Sequence, residues 1–175
     1  KNENTFTGTQ GSEALQSLSK NLSKNLTLRE AQKKGGTSQV IKPNEILFAS
    51  TGVIGEKFPT QQIKNSTPQL VEKLRDKQNK FIWFKAAASI MTTDTRPKLA
   101  YEECRIWNKD IRLSAIAKGS GMISPNMATM LAFVFTDAEI PSVFLKSLLK
   151  RAMTNTFNAI TVDSDTSTND LVAIF

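Results

Sequence analysis

The sequence predicts an α/β protein in which helices pack outside one or more layered, mixed β-sheets. Three observations lead to this fold class: amphipathic helical spacing recurs, short apolar runs bounded by turn residues alternate with it, and 39% of the 175 residues are hydrophobic. This content is enough to bury the core of one ordinary domain, or of one lobe of a larger protein.

The first elements along the chain are a long helix and a short strand. Leucine and alanine residues at helical spacing behind Ser12, a suitable N-cap, predict a helix over residues 12–31 that KKGGTSQ ends. The apolar run EILFAS, residues 45–50, lies between turn residues and predicts a buried strand.

Two further helices are predicted before the middle of the chain. The segment STPQLVEKLRDKQ begins a helix with Ser66 or Thr67 as its cap and Pro68 in its first turn. The periodicity of FIWFKAAASIM fits either a helix or a strand, but its three consecutive alanines favour a helix, which TTDTRPK ends.

The second half of the chain reads as strands with one late helix. Residues 113–123, LSAIAKGSGMI, and residues 129–138, TMLAFVFTDA, predict strands on either side of a proline-containing turn. Pro141 begins a predicted helix over residues 141–157. The closing segment AITVDSDTSTNDLVAIF then predicts a strand, a polar loop and the start of another apolar segment.

Charge and hydropathy limit the partners that this chain is expected to have. The formal net charge is +7, but the lysines are scattered and no aromatic residues are interleaved with them, so we expect a solvated surface and no nucleic-acid partner. No apolar run approaches the ~18 residues that a transmembrane helix needs, so no membrane partner is expected. The start KNENTFTGTQ has neither an initiator Met nor a signal peptide, so we expect a soluble protein whose natural start lies upstream.

The Cys and His contents narrow the chemistry. Cys104 is the only cysteine, which fits a reducing compartment and makes the cytoplasm the expected location. The chain contains no His, which excludes Ser-His-Asp and Cys-His catalytic groups within it. The segment DSDTSTND resembles a calcium loop in its spacing but lacks the turn glycine and the closing Glu, so we expect no metal site.

Threonine-rich turns are the remaining candidates for chemistry. Threonine hydroxyls ordinarily cap helices and bond within turns. A threonine can instead act as a nucleophile without any histidine when it becomes N-terminal, because its free α-amine, with a pKa near ~8, serves as the base. The segment MATML places a threonine between a glycine-rich loop and an apolar strand, where such a terminus would be held firmly.

Four segments, STGVIG, IMTTDTRPK, AKGSGMISPNMATMLAFVFTDA and ITVDSDTSTND, occur in an order that resembles the ornithine acetyltransferase family. These enzymes of arginine biosynthesis are also called glutamate N-acetyltransferases. The resemblance implies a self-processing threonine-nucleophile enzyme, of which residues 1–175 are one partial region. It implies cleavage between Ala128 and Thr129, so that residues 1–128 end an α chain and residues 129–175 begin a β chain.

The resemblance also implies roles for other residues. Thr129 would be the nucleophile of both self-cleavage and acetyl transfer, and Thr51 and Gly52 would stabilise the oxyanion, where preset donors are worth ~3 to 4 kcal/mol each. Lys118 would contact substrate, although a lysine beside a turn is ordinarily solvated. Thr92, with Thr93 as its near competitor, would supply a hydroxyl to the substrate.

The reaction implied by the resemblance is ping-pong acetyl transfer. N-acetylornithine would donate the acetyl group, glutamate would accept it, and some members of the family also use acetyl-CoA as donor. No cofactor or metal is implied, and the α and β chains would stay associated in an oligomer. Two departures from the family pattern are Ser124, where alanine is expected, and Ser164, where glycine is expected.

Two other functions remain open. Family members are much longer, and their later portion supplies further substrate contacts, so this chain could be an inert fragment that holds the nucleophile and only part of the pocket. A self-processing amidohydrolase would use the same threonine but transfer the acyl group to water.

Overall fold

A computed structural model describes residues 9–32, 40–52, 57–74, 79–120, 130–162 and 170–175. The chain divides into two compact units, residues 1–77 and residues 78–175. In its described part, no helix is both long enough and apolar enough to cross a membrane. The helices and strands found there are α1 (Thr9–Gln32), α2 (Thr60–Glu72), α3 (Lys80–Ser89), β1 (Lys98–Ile106), β2 (Lys109–Lys118), β3 (Leu131–Thr136), α4 (Ser142–Thr154) and β4 (Leu171–Ile174), with 3-10 turns at Pro43–Glu45 and Phe157–Ala159.

The first unit is built on the packing of α1 against α2. Leu18 of α1 is fully buried and Val71 of α2 nearly so, which removes apolar surface from water and stabilises the pair. The segment after α1 is tied to it by hydrogen bonds, because the Ser23 hydroxyl donates to the Ile41 carbonyl at 2.6 Å and the Thr27 hydroxyl accepts from the Ile41 N–H at 3.2 Å. The predicted first helix is confirmed.

Two details predicted for this unit are wrong. The helix α1 begins at Thr9, so Ser12 lies inside it and is not its cap. Residues 46–50, which are all described, form no strand, and Leu47 is 73% exposed. The local backbone instead makes a 3-10 turn, in which the Lys42 N–H donates to Glu45 Oε2 at 2.7 Å. An apolar run needs a sheet neighbour to become a strand.

The start of the second helix is also wrong, because α2 begins at Thr60. Ser66 and Thr67 lie inside the helix, where their hydroxyls donate to the carbonyls four residues earlier at 3.0 and 2.9 Å and therefore cap nothing. Pro68 lies in the helix interior, where it lacks the N–H of a regular helical bond.

The second unit contains a four-stranded mixed sheet in the order β1-β2-β3-β4, which confirms the mixed α/β class. The pairs β1–β2 and β2–β3 are antiparallel, whereas β3 and β4 are parallel. Helix α3, confirmed at the alanine-rich segment, packs on β1 and β2. Its N-cap is Asn79, whose Oδ1 accepts from the Ile82 N–H at 2.9 Å.

Strands β2 and β3 and helix α4 confirm three predicted elements, and β4 confirms the last apolar segment. Strand β1 was not predicted from the sequence. It pairs with β2 through a two-residue turn, in which Trp107 lies in the left-handed region with φ 52°. The strand predicted at the start of the closing segment AITVDSDTSTNDLVAIF is wrong over its described part. Residues 160–162 are exposed, belong to none of the four strands of the described sheet and follow a 3-10 turn.

The core of the second unit lies where β2 and β3 meet. Ile116, Leu131 and Ala132 are buried there. Phe135 lies between two aromatic rings, with centroid distances of 5.3 Å to both Trp83 and Phe175. These ring contacts join α3 to the sheet near the end of β3. The other end of the sheet, where β2 ends and β3 begins, carries the candidate site.

Candidate active site

Three of the four motif segments meet at one end of the sheet. Lys118 ends β2 and pairs with Leu131 at the start of β3, which in turn pairs with Leu171 at the start of β4. Lys98, the first residue of β1, pairs with Ala117 beside them. Because β2 runs antiparallel to β1 and β3, and β4 runs parallel to β3, the end of β2 and the starts of the other three strands lie together.

Asp94 is the buried anchor of this end of the sheet. Its side chain is fully buried, and its carboxylate accepts hydrogen bonds from the Gly119 N–H at 2.9 Å, from the Thr92 N–H at 3.4 Å and from the Lys98 ammonium. Burial raises the pKa of Asp94, but the hydrogen bonds from Lys98, Gly119 and Thr92 outweigh it and hold the pKa below its ordinary value. Asp94 therefore fixes the loop before β1 to the residue that follows β2.

Lys118 is buried at this site, with 2% of its surface exposed, so the interpretation as a solvated lysine is wrong. Its ammonium lies 3.5 Å from the Thr92 hydroxyl oxygen, at the long limit of a hydrogen bond. Burial lowers the pKa of Lys118, while the negative charges of Asp94 and Asp170 oppose that shift. The side chain thus places a poorly solvated cation among polar groups.

Asp170 holds the first residue after the predicted nucleophile. Its Oδ1 accepts a hydrogen bond of 2.6 Å from the Met130 N–H, and the Leu171 N–H donates to the Met130 carbonyl at 2.9 Å. Burial raises the pKa of Asp170, against the opposing effects of the Met130 hydrogen bond and the Lys118 charge. Asp170 and Leu171 therefore bind both the N–H and the carbonyl group of Met130.

The structure describes some of the residues predicted for the site but not all of them. Lys118 and Thr92 contact each other, and of the two neighbouring threonines it is Thr92, not Thr93, whose hydroxyl reaches Lys118. Thr51 and Gly52 lie in the first unit, and their oxyanion role stays a prediction. Ala128 and Thr129 lie outside the described residues, as do residues 163–169 of the calcium-like loop.

Sequence reasoning missed the two aspartates that organise the site, Asp94 and Asp170. Both stand inside segments that were singled out, MTTDT and DTSTND, but the first was considered for its hydroxyl groups and the second for its resemblance to a calcium loop. The available signal was the acidic residue that closes each threonine-rich turn beside a strand. A carboxylate at such a place readily accepts backbone N–H groups that the sheet leaves unpaired.

The arrangement can bind and polarise an oxygen-containing ligand. A buried ammonium and a threonine hydroxyl, held 3.5 Å apart, offer hydrogen-bond donors to a carboxylate or a carbonyl oxygen. Donors preset in a site with little water stabilise developing negative charge more strongly than donors in water do. The site lies at the start of β3, whose first residue, Leu131, follows position 129 by two residues.

Comparisons with known proteins are consistent from one end of the chain to the other. The model of the ArgJ family matches residues 1–175. The arginine biosynthesis bifunctional protein ArgJ of Bartonella quintana (strain Toulouse) is 42% identical over 174 residues, which are 99% of this chain and 38% of that protein. The protein of the same name from Rhizobium meliloti (strain 1021) gives the same identity and the same coverage.

A third relative shows higher identity over a shorter stretch. The arginine biosynthesis bifunctional protein ArgJ of Methylococcus capsulatus is 50% identical over 129 residues, which are 74% of this chain and 31% of that protein. The chain therefore spans less than two fifths of the length of these curated relatives.

Proposed function

Because this chain belongs to the ArgJ family, we propose that the protein containing it is an acetyltransferase of arginine biosynthesis. It moves an acetyl group from N-acetylornithine to glutamate through an acetyl ester on Thr129. Acetyl-CoA is a second candidate donor. The protein works in the cytoplasm as an oligomer of associated α and β chains, and it needs no cofactor.

The proposed nucleophile is produced by self-cleavage. The Thr129 hydroxyl attacks the carbonyl of Ala128, the C–N bond between the two residues breaks, and an ester forms. Water hydrolyses that ester, which leaves a carboxylate on Ala128 and a free α-amine on Thr129. This amine supplies the base that a chain without histidine otherwise lacks.

Acetyl transfer then follows in two halves. The Thr129 hydroxyl attacks the acetyl carbonyl while its proton passes to the α-amine, and the amide C–N bond breaks as that proton moves to the departing ornithine nitrogen. The amine of glutamate attacks the resulting ester, and its proton passes through the α-amine back to the Thr129 oxygen as the C–O bond breaks. Each half develops one oxyanion, for which Thr51 and Gly52 are the proposed donors.

Lys118 and Thr92 are the proposed substrate contacts. A buried ammonium recognises the carboxylate that both ornithine and glutamate carry, and the neighbouring hydroxyl adds a second, directional hydrogen bond. Asp94 keeps the loop that carries Thr92 in place, so it supports this contact without being proposed to touch the substrate.

One observation carries the proposal most directly. Met130, the residue after the proposed nucleophile, is held through both backbone polar groups at the same end of the sheet as the buried Lys118. A rigid attachment of this kind is what a nucleophile needs, since a misplacement of about 1 Å can cost ~100-fold in rate.

The test is an acetyl-transfer assay on the complete gene product that carries this chain. We expect N-acetylglutamate and ornithine to form together, and a brief reaction with N-acetylornithine alone to leave one acetyl group on the fragment that begins at Thr129. Thr129→Ala should abolish both signals. Acetate release that does not depend on glutamate would favour an amidohydrolase, and neither product would favour an inert member of the family.

A further inference from the structure

The two carboxylate oxygens of Asp170 differ in their hydrogen bonding within the described part of the chain. Oδ1 accepts the 2.6 Å hydrogen bond from the Met130 N–H. Oδ2 is buried and has no hydrogen-bond partner among the residues that the structure describes. A buried, ionisable oxygen without a partner is costly, so it points to a donor that this part of the chain does not contain.

We propose that Asp170 is a positioning residue for the amine produced by self-cleavage: Oδ1 fixes the peptide group of Met130, and Oδ2 accepts a hydrogen bond from the α-amine of Thr129. This inference deepens the proposed function and rests on it. Asp170 takes no part in bond making, and it acts by orienting the amine that serves as the base.

Covalent geometry supports the reach of Oδ2. The nitrogen of any residue lies at most about 3.7 Å from the nitrogen of the next, whatever its backbone angles. Oδ1 lies 2.6 Å from the Met130 nitrogen, and the amine proposed as the donor to Oδ2 belongs to the residue that is covalently bonded to Met130.

The charges around Asp170 determine what its removal should do. Lys118 at the end of β2 attracts Asp170, and Asp94, paired with Lys98, is the other carboxylate that attracts Lys118. A carboxylate at Asp170 favours the ammonium form of the nearby amine, whereas Lys118 disfavours it. Removing the Asp170 charge should therefore make the amine available as a base at lower pH.

Two variants distinguish the roles of the two carboxylate oxygens of Asp170. Asp170→Asn keeps one oxygen for the Met130 N–H but replaces the other by an NH₂ group, which cannot accept from an amine. Asp170→Ala removes both acceptors. Asp137→Asn is the matched control, because Asp137 accepts the Arg112 N–H at 2.8 Å just beyond the other end of β3. All three are made in the complete gene product, with thermal unfolding measured on each.

The readouts are the rate of self-cleavage, from intact mass, and the pH profile of kcat/KM for acetyl transfer. We expect Asp170→Asn to cleave within about threefold of wild type but to shift the acidic limb of its profile down by about one pH unit. Asp170→Ala should cleave at least about tenfold more slowly. Asp137→Asn should match wild type in both measurements.

The outcomes distinguish this inference from the function on which it rests. An unshifted profile in Asp170→Asn overturns the role of Oδ2, and wild-type cleavage in Asp170→Ala overturns the role of Oδ1. Both results leave the transferase proposal standing, because wild type still cleaves and transfers. A wild-type protein that stays uncut and inactive overturns the transferase proposal itself, and this inference with it.

Discussion

Replacing Asp94 by alanine should destabilise the site end of the sheet by an amount that its contacts allow us to work out. The Gly119 N–H is buried, and losing its 2.9 Å acceptor costs about 1–3 kcal/mol. The 3.4 Å bond from the Thr92 N–H is long and adds about 0.5 kcal/mol. The Lys98 side chain is 45% exposed, so solvent screening reduces its pairing to about 0.5 kcal/mol.

These terms predict a loss of about 2–4 kcal/mol in the free energy of unfolding for Asp94→Ala. Urea unfolding of the complete gene product at neutral pH measures it, with Lys98→Met as the matched control. That control removes only the exposed pairing, so its cost should stay below about 1 kcal/mol. The KM for N-acetylornithine should also rise in Asp94→Ala, because the loop carrying Thr92 loses its anchor.

Two results would refute this reasoning. If Asp94→Ala cost no more than Lys98→Met, the buried Gly119 N–H would not depend on the carboxylate. If Asp94→Ala lost stability but kept its KM, the loop would hold Thr92 without help from Asp94.

Three further outcomes are expected. Lys118→Met should leave the free energy of unfolding within about 1 kcal/mol of wild type or raise it, because burial disfavours the ammonium, while acetyl transfer falls at least about 100-fold in a steady-state assay. Trp83→Ala should cost about 2 kcal/mol in urea unfolding through the lost contact with Phe135. The lowered pKa of Asp94 contributes stability that is present above pH ~4 and is lost as pH falls through the folded-state value, so acid titration of Asp94→Asn should show a shallower loss than wild type.

The elements that the sequence predicted correctly are those whose signal is local. Helix α1 has repeated leucines, α3 has consecutive alanines, and β2 and β3 have apolar runs beside a turn. Strand β1 was not predicted because its sequence shows no clear hydrophobic alternation. All of its residues are exposed, and the strand depends on pairing with β2. The predicted strand at residues 45–50 failed for the opposite reason, since its residues are apolar but have no sheet neighbour in the described part of the chain.

Only those residues of the site that belong to recognisable motifs could be predicted from the sequence. Lys118 and Thr92 belong to motifs whose resemblance to a known family assigns them to substrate, and the structure places their side chains in contact. Asp94 and Asp170 act on backbone N–H groups that are distant in sequence, Gly119 and Met130. Those partners are set by sheet register and cannot be read from the spacing of residues along the chain.

The intact mass of the complete gene product under denaturing conditions tests the central proposal most directly, beside the same protein carrying Thr129→Ala. We predict that wild type separates into two fragments, the second of which begins at Thr129, and that the variant remains one chain. A wild-type protein that remains one chain, or a variant that is cut at the same place, would contradict the assignment of Thr129 as the nucleophile.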